Sequence, residues 1–383
     1  MSGEHKTMDK YPFKNPRVCK LIVTYGCNLN CKYCFEAFKT NAPAKRMSLE
    51  VAQKIITDEI EAIQNGGEFD GLMLSLFGGE PLLQFDMIRD LCEWLWQSDI
   101  QIPYAISLTT NGTLLNTEKQ EWFKHNKNRI TLSVSIDGES DMNSANRGVT
   151  LEKIPISFIH ETWPEQAFKM TVAPNTVENY ADNFITLTQQ GYRLEGSHAS
   201  GIDWPEDKIE IYKQQLVKIA EFYLQNPSCE PNAFFLRPFA EQLIEKSDTF
   251  CGAGHHMVAY DYSGKPFPCH MFTPIVWGRD ILDEIKDIDF LHPLADQRDE
   301  ECLNCPLNKC CSTCIAYNFI ERGDVSLRDK RACGLQKAEA QVLSAFQIQY
   351  YMNKRETLNN EEKIRLKAAY EIYCLLERRY TKE

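Results

Sequence analysis

Cys27-Asn28-Leu29-Asn30-Cys31-Lys32-Tyr33-Cys34-Phe35 spaces three thiols as C-x3-C-x2-C. Iron–sulfur clusters are normally held by four thiolates. Three cysteines on one short loop therefore hold three irons of a four-iron cluster and leave the fourth open to water or a chelating cofactor. An open iron is a reaction site. A structural zinc needs a fourth ligand close by, and this run supplies none. The run directly follows residues 18–24, an aliphatic and β-branched segment that reads as a strand, so the thiols are expected on a loop leaving a strand.

Outward from this loop, residues 18 to about 235 alternate apolar strand-like runs with amphipathic helical runs, which implies crossover units and a mostly parallel sheet. Strands are expected at 18–24, 72–77, 104–110, 130–136 and 168–173. Ser48 is expected to cap a helix in which Val51, Ile55, Ile60 and Ile63 recur at helical spacing and which stops near Gly66. Further helices are expected over 87–96, 117–125, 177–190 and 206–225. Near Ser247 the composition shifts to cysteine, glycine and proline until about Gly334. The tail reads as two helices broken near Asn359-Asn360, the second carrying Ile364, Ala368, Ile372 and Leu375 on one face. The expected division is an extension over 1–17, an α/β domain over 18–247, a cysteine-rich domain over 248–334 and a helical tail over 335–383.

Three further motifs end successive expected strands. Gly78-Gly79-Glu80-Pro81 follows the second; its glycines allow close backbone approach, and Pro81 suits a first helical turn. Thr110-Asn111-Gly112-Thr113 closes the third, and Ser133-Val134-Ser135-Ile136-Asp137-Gly138 the fourth, with Asn146-Arg147 beyond. Singly, each is turn chemistry. Together with the cysteine loop they resemble the radical S-adenosylmethionine (SAM) superfamily. That resemblance implies a partial (β/α)6 TIM-like barrel, with functional loops at the C-terminal ends of its strands. It also implies that the amino and carboxylate groups of SAM chelate the iron left open by Cys27, Cys31 and Cys34, and that reduction yields a 5′-deoxyadenosyl radical. Gly78, Gly79 and Glu80 are then expected at the SAM amino group, Asn111 and Ser135 at hydroxyls, and Arg147 at the carboxylate. Tyr33 and Phe35 are expected beside adenine, although aromatic residues equally serve cores.

A second cysteine field comprises Cys251, then Gly264-Lys265-Pro266-Phe267-Pro268-Cys269, then Cys302, Cys305, Cys310, Cys311, Cys314 and Cys333. By spacing alone, zinc and iron–sulfur are equally compatible with these C-x2-C pairs. The order of spacings resembles the SPASM domain, which binds two auxiliary four-iron clusters and would bring the total to three [4Fe-4S] clusters. The resemblance assigns Cys251, Cys269 and Cys314 to the nearer auxiliary cluster. It assigns Cys302, Cys305, one of Cys310 and Cys311, and Cys333 to the distal one. The nearer cluster lacks an evident fourth thiolate; Cys310 or Cys311, His255 and His256 are candidates, as is an iron left open to substrate. Cys19, Cys92, Cys229 and Cys374 are expected to be inert buried thiols.

Among proteins of this architecture, Cys251-Gly252-Ala253-Gly254 and Pro268-Cys269-His270 look more like maturases of ribosomally made peptides, which form thioether or carbon–carbon crosslinks. The alternative is the anaerobic sulfatase-maturing group, which makes formylglycine and in which an aspartate base stands where this chain has His270. His270 is the candidate base here. Some two dozen residues precede the cysteine loop, too few for a peptide-recognition domain, so a peptide leader is expected to be held by the tail helices, by a separate protein, or not at all. An external electron donor is also expected. A reading of another class is a non-catalytic iron–sulfur or zinc protein.

The chain has 383 residues, 43% of them hydrophobic, enough for a sizeable core in two or three domains. Fifteen cysteines without a signal peptide suit metal chemistry in a reducing, cytoplasmic setting better than a disulfide framework. A formal charge of −12 gives no basic footprint for nucleic acid. The apolar run 72–77 is too short to span a bilayer, so no membrane partner is expected.

Overall fold

The computed structural model describes residues 13–239, 251–294 and 299–380. The first twelve residues of the expected extension and the compositional boundary near Ser247 lie outside the described residues. The described residues partition into two compact units, one of residues 13–169 and 251–291, the other of residues 170–239, 292–294 and 299–380. The described strands are β1 (Pro16–Thr24), β2 (Gly71–Gly78), β3 (Tyr104–Thr110), β4 (Ile130–Val134), β5 (Phe168–Val172), β6 (Leu194–His198), β7 (Met257–Tyr260) and β8 (Pro266–Phe267).

In the first unit β1 to β4 lie side by side in sequence order, all parallel. Parallel neighbours need crossovers, and the helices Leu49–Gly66, Phe85–Gln97 and Thr117–His125 provide them. Leu21, Ile22, Val23 and Thr24 are buried in succession, as in a strand covered on both faces. Ser48 Oγ accepts from Val51 N at 3.3 Å, and Gly67 at φ 68° ends the helix that begins there. The architecture is the expected α/β fold with a parallel sheet. One addition is unforeseen: β7, from the cysteine-rich segment, pairs in parallel with the free side of β1, and β8 returns antiparallel to it. The fourth strand also stops at Val134, short of the expected 136. Beyond it Ser135 bridges to Lys169, and Ile136 N donates to Lys169 O at 2.9 Å, so the backbone has changed partners.

In the second unit β5 pairs with β6. β6 was not anticipated, because Leu194-Glu195-Gly196-Ser197-His198 has one apolar residue and a glycine. The helix expected over 177–190 starts as a 3-10 turn, Val177–Asn179, and becomes α-helical over Tyr180–Gln189. The core gathers Tyr180, Phe184, Tyr212, Phe235 and Phe346, all fully buried or nearly so. The tail forms the helices Cys333–Asn353 and Asn360–Tyr380, but its buried face needs correction. Ala368, Ala369, Ile372 and Leu376 are buried, whereas Ile364 is 50% and Leu375 39% exposed. The stripe is set by packing against Cys333–Asn353, which selects steps of three and four residues through 369, 372 and 376. Among the described residues no helix is long and apolar enough to cross a membrane.

Candidate cluster and cofactor site

The cysteine loop is closed on the end of β1. Met47 N donates to Val23 O at 2.9 Å, Tyr25 N to Lys45 O at 3.0 Å and Thr40 N to Tyr25 O at 3.0 Å. The loops after β2, β3 and β4 are tied to it one by one. Gly79 N donates to Thr24 O at 3.0 Å and Glu80 N to Gly26 O at 2.7 Å. Asn28 bridges to the β3 turn, donating to Thr113 Oγ1 at 2.8 Å and accepting from Asn111 Nδ2 at 2.9 Å. Lys32 N donates to Asn146 O at 2.9 Å. Gly78 has φ 142°, a conformation open to glycine, and a Cβ on Gly79 would fall 2.7 Å from the Gly26 carbonyl carbon. Both glycines of the motif are thus required for backbone to lie against backbone.

Cys27, Cys31 and Cys34 share one electrostatic neighbourhood. Burial pushes the Cys27 thiol up to about 11 and raises that of Cys31, which Arg147 opposes. Burial works against the Lys39 charge, but the Cys34 sulfur, with those of Cys27 and Cys31, holds its pKa above the ordinary value. Lys39 therefore stands among all three sulfurs. Among the described residues no three cysteine, histidine or acidic side chains converge on a single-ion geometry. A four-iron cluster gives each thiolate its own iron, so the sulfurs it needs stand further apart than those around one zinc.

The polar residues divide into those with committed partners and those without. Glu80 is buried; its Oε1 accepts from Leu82 N at 3.0 Å and Thr110 Oγ1 at 2.7 Å, and its Oε2 from Asn111 N at 2.8 Å. Burial raises its pKa, and these three bonds pull it back. Tyr33 O–H donates to Asp137 Oδ2 at 2.6 Å and accepts from Arg147 Nη1 at 2.8 Å, while Arg147 Nε is buried without a partner. Burial, then Asp137, raises the Tyr33 pKa, so the phenol stays protonated. Ser135 is half-buried at the end of β4. Phe35 contacts His270 and Phe77, with ring centroids 5.5 and 6.5 Å away. His270 Nδ1 lies 3.2 Å from Lys20 Nζ, and burial, then Lys20 and Lys169, lowers its pKa well below the usual value. The imidazole is neutral, with Nδ1 accepting from a lysine, which weakens the expectation of a free base at that atom.

The second cysteine field is gathered in part. Within the second unit Cys302, Cys305, Cys310, Cys311 and Cys333 act on one another electrostatically. Burial pushes Cys310 up to about 11 and Cys311 to about 12, with Arg328 opposing both, and Lys330 Nζ lies 3.6 Å from Cys302 Sγ. Cys314 lines a cavity with His198, Thr313, Tyr317 and Arg331. Cys251 and Cys269 belong to the first unit, where Gly254 N donates to Pro268 O at 2.8 Å and brings their loops together. His255 Nε2 is held by Glu68 Oε1 at 2.6 Å.

The family described as the Radical SAM superfamily matches residues 21–154, the span from β1 through the three cysteines and the loops tied to them. The chain carries a radical SAM domain. Over 347 residues the chain is 21% identical to the radical SAM cyclopropyl synthase TigE of Paramaledivibacter caminithermalis, covering 84% of this chain and 72% of that protein. Over 346 residues it is 25% identical to the AdoMet-dependent heme synthase of Methanosarcina barkeri, covering 81% and 94%. Among solved structures it shares the fold of native anSMEcpe with bound AdoMet and Cp18Cys peptide, with a TM-score of 0.68, 17% identity, and coverage of 89% of this chain and 100% of that one. It also shares the fold of Streptococcus suis SuiB bound to precursor peptide SuiA, with a TM-score of 0.54, 17% identity, and coverage of 85% and 78%.

The radical SAM domain brings together residues that the motifs alone did not single out. Glu36 is 4% exposed, its Oε1 has no partner, and burial pushes its pKa up to about 8. Lys39 beside the three sulfurs, Asn28 at the β3 turn and Asp137 at Tyr33 join the site in the same way. Asp137 stands inside the Ser133–Gly138 motif, but its partner Tyr33 is 104 residues away in sequence. Glu36 gave only its place two residues after Cys34.

Proposed function

We propose that this radical SAM enzyme oxidatively modifies a peptide, forming a thioether or carbon–carbon crosslink. The observation that carries the reading is the set of three sulfurs around Lys39, on a loop cross-tied to the ends of β2, β3 and β4. The close backbone docking at Gly79 and the unpartnered buried atoms Glu36 Oε1 and Arg147 Nε fit a cluster and a polar cofactor at that place. When bound, a [4Fe-4S] cluster and SAM supply a 5′-deoxyadenosyl radical that removes a hydrogen atom from substrate.

In this reading Cys27, Cys31 and Cys34 hold the cluster, and Lys39 balances thiolate charge. Arg147, fixed by Tyr33 and Asp137, offers its guanidinium to a carboxylate. Ser135 and Asn111 serve hydroxyls, and Phe35 presents an aromatic face. The cysteines at 302, 305, 310 or 311, and 333 hold one auxiliary cluster, as a SPASM domain would, and Cys251 and Cys269 contribute to another. The peptide is the substrate, with an external electron donor. The relatives TigE and heme synthase keep their own reactions.

Formylglycine formation is the second reading. His270, neutral and engaged by Lys20 where that group has an aspartate, disfavours it.

The test uses anaerobically reconstituted enzyme with SAM, a reductant and short peptides encoded beside the gene, and reads peptide mass and 5′-deoxyadenosine. Loss of two hydrogens with matching 5′-deoxyadenosine supports the crosslinking reading. 5′-Deoxyadenosine with unchanged peptide masses redirects the search to sulfatase peptides or small molecules. Neither product, from protein with full iron content, rejects the radical chemistry.

A further inference from the structure

Strand register sorts the parallel sheet of the first unit into two unlike faces. Leu21, Leu76, Leu108 and Leu132 are partners in turn across β1 to β4, and all four are fully buried. That is the face a crossover helix covers. One residue earlier in each strand the side chain points the other way, and the row there reads Lys20, Ser75, Ser107 and Thr131. Lys20, Ser75 and Ser107 are half-buried. A barrel interior that serves as core is filled by bulky branched side chains. An ammonium and small hydroxyls in that layer instead suit a face that meets a polar guest.

Two lysines of this unit gather at one imidazole. Lys20 Nζ lies 3.2 Å from His270 Nδ1 and 4.7 Å from the centroid of the Phe77 ring. Both neighbours are uncharged groups, so they hold the ammonium in place without neutralising it. Lys169 is exposed, is joined to Ser135 by a parallel bridge beyond the end of β4, and also acts on His270. One lysine thus comes from β1 and the other from beside the end of β4, and the curl of the sheet brings them together. An ammonium is a compact charge with three donors, and a carboxylate offers about four lone-pair sites to receive them.

We propose that this polar face takes an acidic side chain of the substrate peptide, its carboxylate received by Lys20 and Lys169. The proposal rests on the peptide reading given above and deepens it, because it names the residue class that the site selects. Lys20 and Lys169 are then specificity-determining residues, and the small hydroxyl residues of the same row leave room for the guest.

The test is calorimetric binding of the short peptides encoded beside the gene to the anaerobically reconstituted protein, with SAM and no reductant, so that nothing turns over. Each bound peptide is compared with versions in which its Asp and Glu residues are exchanged one at a time for Asn and Gln. A charge-assisted hydrogen bond is strong enough that Lys20→Met and Lys169→Met should each raise the Kd of the native peptide by roughly 10- to 100-fold. Exchange at one acidic position of the peptide should do the same, and the lysine variants should then weaken the exchanged peptide by no more than about twofold, because the contact is already lost. A lysine variant that weakens native and exchanged peptides equally overturns the inference, since that marks a general structural effect. Native affinity in both lysine variants overturns it too, as does tight binding of a peptide with no acidic residue. Iron content is the folding control; if Lys20→Met fails to take up iron, Lys169→Met, at an exposed position, decides by the same outcomes. Protein that cleaves SAM once reductant is added but binds none of the peptides refutes the peptide reading itself, and the inference falls with it.

Discussion

Gly79→Ala perturbs the contact that holds the turn after β2 against the cysteine loop. An added Cβ would stand 2.7 Å from the Gly26 carbonyl carbon, nearer still to its oxygen, and 3.1 Å from Cys27 Cβ. Ordinary contact begins near 3.4 Å. The atoms met are mostly backbone, so no side chain can swing away. Either the turn or residues 26–27 must move by about 0.7 Å or more, and overpacking of this kind costs about 1–3 kcal/mol. For a unit of 150–250 residues each kcal/mol shifts Tm by about 2–4 °C, so the expected fall is roughly 2–12 °C. The same movement pulls on Glu80 N, bonded to Gly26 O, and on Cys27. Iron uptake after reconstitution should therefore fall as well. Gly148→Ala is the control: φ is 75°, but nothing lies within 4 Å of its Cβ, so it carries backbone strain alone, about 1–2 kcal/mol, and leaves iron uptake intact. Scanning calorimetry and iron analysis of the two variants give the answer. Gly79→Ala protein with wild-type Tm and wild-type iron content would refute the close-approach argument.

Replacing Cys27, Cys31 or Cys34 with Ala should abolish 5′-deoxyadenosine formation, measured by chromatography; retained formation rejects these ligands. Cys302→Ala and Cys333→Ala should preserve SAM cleavage while substrate turnover fails, and normal turnover in both argues against an electron-transfer role. Tyr33→Phe removes the hydroxyl between Asp137 and Arg147. It should cost about 1–3 kcal/mol in urea unfolding; an unchanged midpoint would show that the bridge contributes nothing. Glu339, buried in the second unit, accepts from Arg237 Nη2 at 2.6 Å and Tyr212 O–H at 3.1 Å, and pairs with His198 Nδ1 at 2.6 Å. Burial opposes its charge, but His198 and Arg237 hold its pKa down to about 2. Because the folded value lies below the unfolded one, its stabilisation is complete above about pH 4.5 and disappears as pH falls toward 2. Glu339→Gln should lower stability by about 3–5 kcal/mol near neutral pH, with the gap to wild type closing in acid. A gap independent of pH between 6 and 3 would contradict the assignment.

Local physics made much of this chain legible from its residues. The strand Tyr104–Thr110 and the helices Thr117–His125 and Glu206–Gln225 fall at their expected bounds, because strong periodicity and near-neighbour caps decide them. The helix from Leu49 starts after Ser48 for the same reason: the capping bond spans three residues. The spacing C-x3-C-x2-C already fixed that the three thiols share a loop, and its place after a strand fixed which end of the sheet they occupy. Tertiary structure decided what depends on distant partners. β7 pairs with β1 across more than two hundred residues, and four residues of sequence carry no mark of that choice. Glu80 is legible in the sequence as a motif carboxylate, but its bonds to Thr110 and Asn111 come only from the β2–β3 pairing that brings those residues beside it. Glu36 carries no local mark of burial, and the closed loop leaves it 4% exposed. Sequence determines such groups' chemistry, but burial and pairing are properties of the packed chain, settled only when distant elements meet.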